Sequence, residues 1–78
     1  MKPGNNTGEP KLMLRVKELR EAQGMTQWQL AERAGVSQPA VANWERGVFV
    51  PKTQDLPALA RALKCRHIDD LYPEEVRP

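Results

Sequence analysis

Gln38 and Asn43 carry primary amides and Arg46 a guanidinium, all within nine residues of chain. An amide offers one acceptor oxygen and two N–H donors, which can pair bidentately with the adenine edge in the major groove of a DNA duplex. A guanidinium can reach a phosphate or a guanine. Upstream, Thr26 and Gln27 open a segment of helical pattern. The backbone N–H groups at such a start can bind a phosphate oxygen. Ser37 stands at the start of the following segment and joins them as a candidate phosphate contact, with Arg46. The plain alternative for each is an exposed polar residue on a solvated face.

These groups become useful together only if something rigid holds them. Apolar residues between Lys11 and Tyr72 recur at helical spacing, broken by turn residues. Leu12, Val16 and Leu19 share one face of a first helix that should end at Gly24. Thr26 reads as an N-cap, and Gln29, three residues on, completes a capping-box pattern. Leu30, Ala31 and Ala34 give the second helix its apolar face, and Gly35 ends it. Ser37 is the next N-cap, with Pro39 in the first turn, where a missing N–H costs nothing. Val41 and Trp44 should face inward, which leaves Gln38, Pro39, Ala42, Asn43 and Arg46 outward, and Gly47 ends the third helix. Val48 to Lys52 is a loop. A fourth helix begins near Thr53 or Gln54, with Pro57 in its first turn and Leu56, Leu59, Ala60 and Leu63 as its buried stripe. A short last helix near Ile68–Tyr72 stops at Pro73. No segment reads as a strand. The expected class is all-α, a compact bundle of about five short helices, in which a tight turn at Gly35 fixes the second and third against each other.

Composition narrows the function classes. The 78 residues suffice for one small domain. A single cysteine, Cys65, excludes an internal disulfide framework and suits a reducing, cytoplasmic setting. No apolar run approaches the roughly 20 residues that span a bilayer, and MKPGNNTGEP lacks the apolar stretch of a secretory signal, so neither membrane nor export is expected. Residues 1–10 are expected to form a flexible arm, 11–73 the domain, and 74–78 a short acidic tail. Net charge is +2, yet from Lys11 to Ile68 ten basic residues stand against five acidic ones. A basic body suits a phosphate backbone as partner. Cys65 and His67 have no companions that would make a metal site or a catalytic group. There is no glycine-rich phosphate loop and no Ser/His/Asp set. Neither an enzyme nor a cofactor is expected.

The stretch LREAQGMTQWQLAERAGVSQPAVANWERG resembles the helix-turn-helix of the lambdoid phage Cro and repressor family, also called the xenobiotic-response-element type. The shared residues include Gly24, Thr26-Gln27, Leu30-Ala31, Gly35-Val36-Ser37, Trp44-Glu45 and Gly47, followed by Leu56, Leu59, Ala60 and Leu63. The resemblance covers about residues 12–72. It implies a lambda-repressor-like, five-helix DNA-binding domain that commonly sits on double-stranded DNA operators as a homodimer. By position it makes Gln38, Pro39, Ala42 and Asn43 base-contacting residues, Gln27 a phosphate contact, and Arg20 with Glu45 a buried ion pair between the first and recognition helices. Pro39 and Ala42 depart from the polar readers of many relatives and could only touch a thymine methyl. Readout would then lean on Gln38, Asn43 and DNA shape. The apolar Val48-Phe49-Val50 stands where relatives often place basic residues, and Arg66-His67 adds a residue before the last helix.

Trp28 is expected to pack, partly buried. Phe49 either tucks back onto the domain or, with Val48, forms a dimer contact. Arg15 and Lys17 are expected to be solvated. Two functions stay in view: a sequence-specific transcriptional repressor, and an antitoxin or other protein-interaction module of the same fold with a toxin or similar protein as partner.

Overall fold

The structure, a computed structural model, describes residues 14–74. It contains four α-helices: α1 (Val16–Ala22), α2 (Gln27–Ala34), α3 (Gln38–Arg46) and α4 (Leu56–Ala62). Two 3₁₀ turns, Thr53–Asp55 and Ile68–Leu71, precede and follow α4. The described residues include no strand. Leu12, the expected arm over 1–10 and residues 75–78 of the expected tail lie outside the described residues.

Local chemistry sets the helix ends. Thr26 Oγ1 accepts from the Gln29 N–H at 3.1 Å, while Gln29 Oε1 accepts from the Thr26 N–H at 2.9 Å, so the capping box closes α2 at its start. At the other end Gly35 adopts φ +73°, a left-handed conformation that glycine enters without the Cβ penalty of other residues. Ser37 then caps α3 by accepting from the Ala40 N–H at 3.2 Å, and Pro39 sits in the first turn as expected. Only two residues, Val36 and Ser37, separate Gly35 from α3. The turn between the two helices is thus short and defined at both ends.

Packing makes the pair rigid. Leu30, Ala31 and Ala34 of α2, Val41 and Trp44 of α3, and Leu59, Ala60, Ala62 and Leu63 of the α4 region form one core, joined by Val16, Met25 and Leu71. α2 packs on both α3 and α4. Ala31 is almost fully buried, and its small side chain lets the neighbouring helix approach closely. Leu30, Val41 and Leu59 are wholly shielded from water. Full burial of a side chain of this kind contributes about 1.5–3 kcal/mol relative to leaving it exposed.

The start of α1 and the last 3₁₀ turn meet in this core. The Arg15 N–H donates to the Leu71 carbonyl at 2.7 Å, and its guanidinium reaches the Asp70 carbonyl at 3.2 Å. Arg15 is therefore a tie between the start of α1 and the last turn, where a solvated charge was expected. The last element is 3₁₀ instead of α-helical. Tyr72 precedes Pro73 and is extended (φ −95°, ψ 149°), the conformation a pre-proline residue favours, so the turn ends after one cycle. Helical structure begins at Thr53, as expected, but as the tighter 3₁₀ turn Thr53–Asp55, and the α-helix itself starts only at Leu56, with Pro57 in its first turn.

Candidate nucleic-acid interface

α3 buries Val41 and Trp44, and its helical period turns Gln38, Pro39, Ala42, Asn43 and Arg46 to the opposite side. Pro39 and Arg46 are exposed, while Gln38, Ala42 and Asn43 are half-buried. All five lie on one continuous face, as the sequence predicts. Arg46 Nη2 donates to Asn43 Oδ1, one turn back, which braces the Asn43 amide through its oxygen.

A chain of hydrogen bonds backs this face. Arg20 Nε and Nη2 donate to the two carboxylate oxygens of Glu45 at 2.7 and 3.1 Å, and Arg20 Nη1 donates to the Met25 carbonyl at 2.7 Å. Gln27 Nε2 donates to Glu45 Oε1 at 3.0 Å, and Gln38 Nε2 donates to Gln27 Oε1 at 2.8 Å. The expected Arg20–Glu45 pair thus exists and extends to the start of α3. Its side chains are 12% and 4% exposed, although Glu45 as a whole residue is only half-buried. The carboxylate is shielded where it matters. Its hydrogen bond, opposed by burial, holds the Arg20 guanidinium above its already high ordinary pKa. A raised basic pKa means the pair's contribution is complete at neutral pH and is lost only as pH climbs through that raised value.

The first turn of α2 flanks the same face. Its Gln27 and Trp28 amides have no carbonyl within their own helix to donate to. Thr26 and Ser37 accept backbone N–H groups, so each hydroxyl retains its hydrogen as a donor. The Gln27 side chain is engaged at both ends of its amide and keeps one further N–H.

Trp28 corrects an expectation. It is 71% exposed instead of partly buried, because it shares neither the Leu30–Ala31–Ala34 face nor a partner across it. Phe49 does not tuck in either. It is 62% exposed, between Val48 at 53% and Val50 at 63%. Phe49 and Val50 instead border an open cleft whose other side is Pro39, Asn43 and Trp44. Met25, outside the helical stripes that the spacing marks, is also buried. Its place just before the Thr26 cap, with Leu30 four residues after that cap, is the pattern of a hydrophobic staple and could have revealed it. Among the described residues, no group of three His, Cys, Asp or Glu is placed to hold a metal ion, and no helix is long and apolar enough to cross a membrane.

Known proteins share this fold. The sequence pattern of the helix-turn-helix family matches residues 16–71. An uncharacterised HTH-type transcriptional regulator of Methanothermobacter thermautotrophicus is 37% identical over 57 residues, covering 73% of this chain and 83% of the relative. The P22 c2 repressor, solved in complex with a synthetic operator, superposes with a TM-score of 0.69 at 34% identity, covering 74% of this chain and 86% of that one. The restriction-modification controller protein C.AhdI of Aeromonas hydrophila gives a TM-score of 0.70 at 33% identity, with the same coverage of 74% and 86%. The clp gene regulator ClgR of C. glutamicum follows at 0.64 and 27% identity, covering 72% and 71%.

Proposed function

The chain belongs to the helix-turn-helix family, and from that premise we propose that it regulates transcription in the cytoplasm by occupying operator DNA as a homodimer. The observation that carries this reading is the outward face of α3. Its amides and guanidinium lie outside the core, with Gln38 braced from behind by Glu45 through Gln27 and Asn43 braced by Arg46. Gln38 and Asn43 read base edges, Pro39 and Ala42 touch thymine methyls, and Thr26, Gln27, Ser37 and Arg46 hold phosphates. The operator-bound P22 c2 repressor and the controller protein support such a role. The proposed sign is repression, in line with the P22 c2 repressor that the chain resembles.

Titration of duplex DNA at rising salt tests this. Phosphate contacts release counterions, so log affinity should fall linearly with log salt. Absence of duplex binding even at low salt would sink the reading.

The exposed Val48-Phe49-Val50 run favours a protein contact as well. In a homodimer it is the subunit interface. In the second reading it receives a different protein, as in an antitoxin that binds its toxin and its own operator. Self-association of the pure chain through this run supports the first. A chain that stays monomeric on DNA with Phe49 still exposed supports the second.

A further inference from the structure

The hydrogen-bond chain behind α3 has a direction, and the direction follows from which atoms can donate. An ionised carboxylate only accepts. Glu45 therefore admits only the NH2 end of the Gln27 amide, 3.0 Å from Oε1. With that end held, Gln27 must turn its oxygen toward Gln38, and it accepts from Gln38 Nε2 at 2.8 Å. One of the two Gln38 N–H donors is thereby spent inward. What remains for a ligand is one N–H and the amide oxygen. That pair matches adenine, which offers an N7 acceptor beside an N6–H donor. It clashes with guanine, whose N7 and O6 both accept.

We propose that Glu45, acting through Gln27, is a positioning residue that sets the Gln38 amide to accept adenine and refuse guanine. This rests on the base-reading role of Gln38 proposed above. Arg20 completes the device. Its two donors occupy the other approaches to the carboxylate and keep it aimed at Gln27. Glu45 touches no base. It acts by fixing the polarity of two amides in series.

The Glu45→Gln variant inverts that polarity. Its oxygen, in the Oε2 place, still accepts from Arg20 Nε, while its new NH2, in the Oε1 place, gives up the bond from Arg20 Nη2 and donates to the Gln27 oxygen. Gln27 then offers its own NH2 to the Gln38 oxygen, and both Gln38 donors are released toward the groove, the pattern guanine accepts. The Gln27→Met variant cuts the chain differently. It leaves the Arg20–Glu45 pair intact and frees the Gln38 amide to rotate.

The test measures affinities of the full chain for duplexes differing only as A or G at a single base pair. Gln38→Ala identifies that base pair as the one where its discrimination disappears. Wild type should prefer adenine there by about tenfold or more. Glu45→Gln should lower that ratio by about tenfold, with preferences at the other positions kept and helicity by circular dichroism unchanged. If Glu45→Gln fails to fold, Gln27→Met should show the same selective fall. An unchanged ratio in a folded variant overturns the proposal. If Gln38→Ala alters no position, base reading by Gln38 is itself refuted, and the positioning role goes with it.

Discussion

Arg20 Nε lies 2.7 Å from Glu45 Oε2, joining α1 to the last turn of α3 across 25 positions of sequence. Removing Arg20 leaves the shielded Glu45 carboxylate without a counter-charge, which costs about 3–5 kcal/mol, while removing Glu45 leaves Arg20 only the exposed Glu21 at 3.9 Å. Arg20→Ala and Glu45→Ala should each lower the urea midpoint sharply. Replacing both with apolar residues of similar volume should cost less than either single change. A double variant as unstable as the two singles added would show that the two residues act independently and contradict their coupling.

The turn glycine offers a smaller, cleaner effect. A Cβ added at Gly35 would meet nothing within 4 Å, so Gly35→Ala introduces no clash. It still forces an L residue to φ +73°. The expected loss is about 1–2 kcal/mol from backbone strain alone. Lys64 is the converse case, a non-glycine residue at φ 60° just beyond α4. Lys64→Gly should stabilise by up to about 1 kcal/mol, after the added freedom of the unfolded chain is subtracted. Thermal melts of the two variants should shift in opposite directions.

Capping can be tested in the same way. Thr26→Ala removes the acceptor for the Gln29 N–H and half of the capping box. A loss of about 1 kcal/mol is expected, with a similar loss for Ser37→Ala, whose hydroxyl accepts from Ala40. Chemical denaturation of each variant measures it.

Most of the helix pattern was legible because it is written in local chemistry. Thr26 with Gln29, Ser37 with Pro39, and the glycines at 35 and 47 signal helix ends through short-range hydrogen bonds and backbone angles. The outward face of α3 follows from the inward spacing of Val41 and Trp44. The features missed depend on distant partners. Nothing beside Arg15 in sequence reveals the Asp70 carbonyl that it reaches 55 positions away. Trp28 was expected to pack because tryptophan usually does, and only the finished surface shows that no element covers it. The Arg20–Glu45 pair was visible through family resemblance. Its extension through Gln27 to Gln38 depends on where α2 and α3 cross, and no spacing rule supplies that.

The apolar loop gives a prediction about assembly. Val48, Phe49 and Val50 are each more than half exposed. Their replacement by serine costs little buried surface within the domain. Val48→Ser with Phe49→Ser should leave helicity unchanged and shift sedimentation equilibrium toward monomer. Binding to a two-half-site duplex should weaken more than binding to one half-site.

Selection of bound sequences from random duplex DNA tests most directly whether the outer face of α3 reads sequence. Wild type should enrich a motif of two related half-sites centred about 10 base pairs apart. Gln38→Ala with Asn43→Ala should blur defined positions in each half while duplex binding persists. Recovery of an unenriched pool by wild type, or of the same motif by wild type and the double variant, would contradict the assignment.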